Sequence, residues 1–366
     1  ANQHRTHALA LYWQLAGYEF ARYKTSRNEE RHLSVPESVD QQLLSAQVKA
    51  TMMVRDLINT PAEDMTPNDL CQFAQELTKS FPGKVKRIQD EALLDNNFPM
   101  IHAVGRASDN RPELVICEWG DSGPLLSIIG KGVTFDSGGL NLKPPRFMYP
   151  MKKDMGGAAH AIALAYLLLE MQIPCRIKLI VPTAENSISS NSYRPSDVLT
   201  SRQGKTVEIG DTDAEGRLLL ADALAYAAEE KPDLMIDFAT LTGAARVAMG
   251  PDVPCYFTNS DSIASLIKEH PSMHEDITWR LPLISSYRLF LESQIADLHS
   301  TGNEPYGGAI ITALFLEHFV AEQDWIHLDI NAFNNRQRDG QPKGGEAQGL
   351  LAMYDLVNTW LEGRAS

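Results

Sequence analysis

From Glu113 onward, short runs of apolar residues alternate with longer runs of helical periodicity, and this alternation constrains the fold more than any other feature of the chain. Segments 113–119 (ELVICEW), 125–129 (LLSII), 176–181, 234–239 (LMIDFA) and 325–330 are rich in apolar residues. Strands that read this way are buried on both faces, as in a largely parallel sheet. Between them, 155–172, 218–230 and 309–320 read as helices, the first with Asp154 placed to cap it. The expected fold is α/β: a mixed, mostly parallel central sheet flanked by helices, with a short N-terminal extension. Ligands of such sheets bind at the carboxyl ends of the strands.

Before that core, 8–22 is helix-like, 24–32 is polar, and 37–58 carries an apolar helical stripe (Leu43, Leu44, Val48, Met52, Leu57) ending at Asn59-Thr60-Pro61. The main boundary is expected near residue 45. Residues 1–45 would be an N-terminal remnant or adaptor and 46–366 the catalytic α/β domain. A formal charge of −14 argues against nucleic acid as a partner, because phosphate binding needs a basic footprint. No apolar run approaches the roughly 20 residues of a membrane span. Cys71, Cys117, Cys175 and Cys255 form no CxxC pair and read as buried, reduced thiols, which fits a cytoplasmic location.

The chemistry concentrates in two stretches. One runs from Lys131 through Asp136 to Lys143 and on to Met151-Lys-Lys-Asp154-Met-Gly-Gly; the other is Asp211-Thr-Asp213-Ala-Glu215-Gly-Arg217-Leu. Four carboxylates gathered among small and apolar residues repel one another and need cations, and hard divalent metals prefer oxygen ligands. Asp213 and Glu215 are two apart, so an extended segment would put both, with Arg217, on one face. Competing motifs fail. Gly130-Lys131-Gly132 has neither P-loop spacing nor a following Ser/Thr, Phe135 stands where a dinucleotide fingerprint needs glycine, and neither GxSxG nor HExxH occurs. His102, His160 and His327 read as core or supporting residues, and 205–208 as a solvated turn.

Residues 131–143, 151–158 and 213–218 resemble the signature blocks of the leucine aminopeptidases, the cytosol aminopeptidase family. The likeness runs over roughly 50 to 355 and includes Arg55-Asp-Leu-Ile-Asn-Thr-Pro61, His102-Ala-Val-Gly105, Ala239-Thr-Leu-Thr-Gly243 and Gly344-Gly-Glu-Ala347. The resemblance implies a metal-dependent aminopeptidase that hydrolyses the N-terminal peptide bond, releasing leucine-like residues through a hydroxide bridging two divalent metals. Zinc or manganese is implied, with magnesium an option. One metal would be held by Lys131, Asp136, Asp154 and Glu215, the other by Asp136, Asp213 and Glu215. Lys131 could ligate only as a neutral amine. Lys143 would stabilise the oxyanion, Arg217 would hold a bicarbonate acting as general base, and Met151, Thr240, Leu241 and Gly243 would contact substrate with Lys143. A homohexamer acting on peptides in the cytoplasm, without membrane or nucleic-acid partners, is also implied.

Two positions depart from the family pattern. Asp211 stands where asparagine is usual, adding negative charge beside the metals. Asn331 follows His327-Leu-Asp-Ile where a small apolar residue is usual, which argues against a strict leucine preference. Members also carry an N-terminal domain, whereas about 45 residues precede the catalytic part here. Competing activities are phosphate-ester hydrolysis, which calls for more basic residues near the metals, and hydrolysis restricted to dipeptides such as Cys-Gly. A DNA-binding role conflicts with the acidic composition.

Overall fold

The computed structural model describes residues 2–25, 33–272, 276–338 and 340–365, so most of the polar stretch 24–32 lies outside the described residues. In chain order the strands are β1 (Lys84–Gln89), β2 (Glu113–Trp119), β3 (Leu125–Gly130), β4 (Gly132–Asp136), β5 (Arg176–Asn186), β6 (Val198–Thr200), β7 (Thr206–Glu208), β8 (Leu234–Ala239), β9 (Cys255–Thr258), β10 (Trp279–Arg280), β11 (Leu298–His299) and β12 (Trp325–Asp329). Nine of them form one sheet in the order β1-β2-β5-β3-β8-β12-β9-β10, with β4 beside β5. The centre, β5-β3-β8-β12, is parallel; β1-β2-β5 and β12-β9 are antiparallel.

Both faces are buried, and side chains alternate between them with period two. Val115, Cys117, Ile177, Leu179, Ile236 and Phe238 face one core, with the helices Gln41–Asn59, Gly156–Glu170 and Leu350–Ala365. Leu114, Ile116, Ile180, Met235 and Trp325 face the other, with Gly216–Ala228 and Gly308–Glu317. All four cysteines are buried and free.

Residue 45 lies in the second turn of the helix Gln41–Asn59, whose N-terminus is capped by Asp40. Leu11 and Leu15, from the helix Asn2–Leu15, belong to the same core as that helix. Segment 205–208 is not a solvated turn: β7 pairs with β6 and β11, and Val207 is buried. Among the described residues, no helix is long and apolar enough to cross a membrane.

Candidate active site

Three parallel strands deliver the site at their carboxyl ends. After β3 the chain steps out of the sheet at Lys131, whose backbone N–H donates to the Phe238 carbonyl on β8, and resumes as β4 ending at Asp136. β8 leads into Thr240 and Leu241, and β12 ends at Asp329. Asp154 comes from the 3-10 turn Met151–Met155, packed against β4. The next helix approaches so closely that a Cβ on Gly157 would lie 2.1 Å from the Phe238 carbonyl oxygen, so only glycine permits this placement. Asp154 does not cap this helix, as the sequence suggested. Its Oδ1 accepts instead from the Thr240 hydroxyl at 2.7 Å, which orients the carboxylate inward.

Asp213 and Glu215 do not lie on an extended segment. They sit on a turn, and Glu215 already has helical backbone angles at the N-terminus of Gly216–Ala228. The Asp211 carboxylate accepts from the Asp213 N–H at 2.8 Å, a bond that asparagine at this position would reproduce. The turn is tied down further by residues that sequence reasoning passed over. Asn186 donates to both the Asp136 carboxylate (2.8 Å) and the Thr212 carbonyl (3.0 Å), and the Tyr193 hydroxyl donates to that carbonyl at 2.7 Å.

Oxygens of Asp136, Asp154 and Glu215 lie within 4.8 Å of one another, and all three residues are buried. Lys131 Nζ is 2.8 Å from Asp154 Oδ2 and 2.9 Å from Glu215 Oε1, and donates to the Thr240 carbonyl at 3.0 Å. Lys143 Nζ is 2.7 Å from Asp136 Oδ2 and also contacts Asp213, which joins the fourth carboxylate to the cluster. Despite these close charges, Asp154 Oδ2, Asp213 Oδ1 and both Glu215 oxygens are buried without a hydrogen bond of proper geometry. Oxygens so stranded are costly unless a cation takes them. Four carboxylates, two lysines and unsatisfied lone pairs therefore fit a centre for hard divalent metals.

The electrostatics agree. Burial, then the charge of Glu215, pushes Asp136 up to about 7; burial also raises Asp154 to about 7, against the opposing pull of Lys131. Burial would raise Glu215 as well, but Lys131 and Lys143 outweigh it and hold it below the usual range. For both lysines burial disfavours the charge, yet the surrounding carboxylates more than reverse that and raise them. Lys131 thus keeps its proton as the cluster's own counter-ion. A bound cation would have to displace that proton.

These side chains line a cavity of about 730 Å³. Lys131, Asp136, Lys143, Met151, Asp154, Asp213, Glu215, Thr240, Leu241 and Gly243 all face it, so nearly every residue singled out in the sequence is brought together. Arg217 is the exception. It is buried outside the lining; one Nη donates to the Ser300 carbonyl at 2.7 Å, and its Nε has no partner. Lys153 and Arg246 also line the cavity. Arg246 would not be read as a site residue without the fold that turns it inward.

Residues 52–354 match the cytosol aminopeptidase family, catalytic domain. The chain belongs to this family. Relatives named as probable cytosol aminopeptidases include one from Clostridium perfringens, 35% identical over 94% of this chain and 74% of its own length, and one from Chlamydia felis, 40% identical over 84% and 63%. The fold matches the cytosol aminopeptidase of Coxiella burnetii (TM-score 0.92, 46% identity, 95% of this chain and 76% of that one). It also matches the bottromycin maturation enzyme BotP, solved in complex with Mn (TM-score 0.91, 34% identity, 98% and 80%). The chain is accordingly a hydrolase, a metal-dependent aminopeptidase.

Proposed function

We propose that the cavity receives the amino end of a peptide and hydrolyses its first peptide bond with two divalent metals bound among the four carboxylates. The observation that carries this is the convergence of Asp136, Asp154 and Glu215, buried, with oxygens left unsatisfied beside two lysines. Lys131, Asp136, Asp154 and Glu215 would hold one ion, and Asp136, Asp213 and Glu215 the other. When bound, such ions supply an acidified water for attack and a positive charge for the substrate's free amine.

The chain's own groups do the rest. Thr240 fixes Asp154 through its hydroxyl and Lys131 through its carbonyl, so the ligand set is pre-organised from one residue. Lys131 can lend a neutral amine only after its counter-ion role passes to the metals. Lys143, freed from Asp136 and Asp213 in the same exchange, keeps its proton and donates to the oxygen of the carbonyl under attack. The partnerless Nε of Arg217 suits an anion such as bicarbonate that could accept a proton. Met151, Thr240, Leu241 and Gly243 wall the side-chain pocket. The manganese of the BotP structure makes Mn the first metal to test, with Zn and Mg next. Assembly as a homohexamer and a cytoplasmic location complete this reading; the second is supported by the names of the relatives.

The test is dialysis against a chelator followed by Mn or Zn add-back, assayed on leucine p-nitroanilide. Activity should vanish and return with the metal. Turnover persisting after exhaustive metal removal would refute the reading.

A further inference from the structure

Away from the four carboxylates, the charge of the cavity wall changes sign. Among the described residues no other acidic side chain lines the cavity, whereas Arg146, Lys153 and Arg246 do. The side chain of Arg246, on the helix Gly243–Met249, makes no hydrogen bond or ion pair among the described residues, and its Nη1 is buried without a partner. A guanidinium carries five N–H donors in a fork shaped for a carboxylate.

Lys153 is 5% exposed, and its Nζ donates to the Asn331 carbonyl and to Asn331 Oδ1, both at 2.7 Å. An ammonium has three donors, so one remains unassigned. Asn331 is locked in turn by donation from Nδ2 to the Phe333 carbonyl at 2.6 Å. The polar residue found where the family usually has a small apolar one therefore seats the Lys153 amine in the pocket wall. Burial, then the charge of the nearby Arg246, lowers Lys153 to about 7. Arg246 also borders the residues expected to contact substrate: a Cβ on Gly243 would lie 3.9 Å from Arg246 Nη2. The Arg246 guanidinium, with an unfilled buried donor beside the Lys153 amine, is stabilised by an anion and gains nothing from an aliphatic side chain.

We propose that this subsite takes a carboxylate carried by the side chain of the substrate's first residue, so that the enzyme cleaves peptides beginning with Glu or Asp. The inference rests on the aminopeptidase reading and narrows its substrate class. Lys153 adjoins Asp154, so the wall stands beside the metal cluster, within reach of the residue whose amine binds there. The far end of a peptide is less well placed.

The metal-loaded enzyme is assayed on the p-nitroanilides of Leu, Glu and Asp. The Glu or Asp substrate should be cleaved with kcat/KM at least equal to that of Leu. Arg246→Ala should lower the Glu-to-Leu ratio by about 10- to 100-fold, chiefly through KM for Glu, and Arg246→Lys should recover part of it. Arg246 holds no partner whose loss would unfold the chain, and the wild-type profile needs no variant. A wild-type preference for Leu over both acidic substrates by more than about tenfold overturns the inference. So does an equal loss on both substrates in Arg246→Ala. Leu-Gly and Leu-Gly-amide separate the two sources of carboxylate: if the variant penalises only the free acid, the group bound is the peptide's end and the side-chain assignment falls. Hydrolysis of Leu with that preference over both acidic substrates defeats this inference alone. No metal-dependent hydrolysis of any substrate defeats the aminopeptidase reading with it.

Discussion

Lys131 Nζ lies 2.9 Å from Glu215 Oε1, with both side chains at or below 3% exposure, so each is the other's nearest remedy for burial. Removing the acid leaves the lysine charged and under-compensated, and takes away the residue assigned to both metals. Glu215→Ala should abolish aminopeptidase activity and also release metal, read by elemental analysis of the purified variant. Lost activity with a full complement of metal would contradict the bridging role.

The same lysine can be disturbed without touching its charge. A Cβ at Gly216 would fall 2.4 Å from Lys131 Cε and 2.7 Å from its Nζ. These atoms are the far end of a flexible side chain, so the fold should survive Gly216→Ala while the amine is pushed off its position. Circular dichroism should be unchanged, and kcat/KM should fall by at least about tenfold with weaker metal retention. Full activity would show that Lys131 does not need its present place.

Lys143 should be separable from the metals. It bridges Asp136 and Asp213, but its assigned task is to meet a developing negative charge. Lys143→Met should cost about 10²–10³ in kcat, the usual cost of one oxyanion donor, with metal content retained. A rise in KM with kcat intact would make it a substrate-binding group only.

Most of this site was legible because its residues are close in sequence and chemically improbable elsewhere: buried acids among glycines have few uses. The strands carrying them were legible for a related reason, since Leu234–Ala239 and Trp325–Asp329 are buried on both faces and are mostly apolar despite Asp237, His327 and Asp329. The parts that were not legible depend on folding. Asn186 and Asp329 stabilise the site from strand ends, Asp329 by accepting from the Leu241 and Thr242 N–H groups at 3.1 Å, and only topology brings them there. Arg246 carries no motif or spacing in the sequence that marks it as facing the cavity. The spacing of Asp213 and Glu215 was misread as a strand because a turn followed by a helix can also bring such residues to one centre.

Between β12 and β8, His327 Nδ1 meets Asp237 Oδ1 at 2.6 Å, and the imidazole stacks between Phe257 and Trp325. Burial disfavours the imidazolium, but the Asp237 carboxylate outweighs it and raises the histidine above its ordinary value. A basic group raised in the folded state gives stability that is complete below the unfolded pKa, near 6.5, and is lost as pH climbs through the folded value. The stability gap between the wild type and His327→Gln, from urea unfolding at fixed protein and metal concentration, should therefore be widest near pH 6 and narrow above it. A gap constant from pH 6 to 9 would mean the ring is neutral throughout.

Asp222 tests the scaffold apart from the site. It is wholly buried on the helix Gly216–Ala228; Oδ2 accepts from the Met100 N–H at 2.8 Å and the Ile101 N–H at 3.4 Å, and Oδ1 accepts from the Arg202 N–H at 2.8 Å. Burial pushes its carboxyl up to about 7, against the backbone N–H groups, which favour the anion. Asparagine has nearly the same shape but only one acceptor oxygen, so its NH₂ must face one of those donors. Asp222→Asn should cost about 1–3 kcal/mol of unfolding free energy, the desolvation penalty of a buried N–H left without an acceptor. Metal stoichiometry should not change, because none of these contacts reaches the carboxylate cluster. A change within about 0.5 kcal/mol would show that water or a backbone shift supplies the missing acceptor.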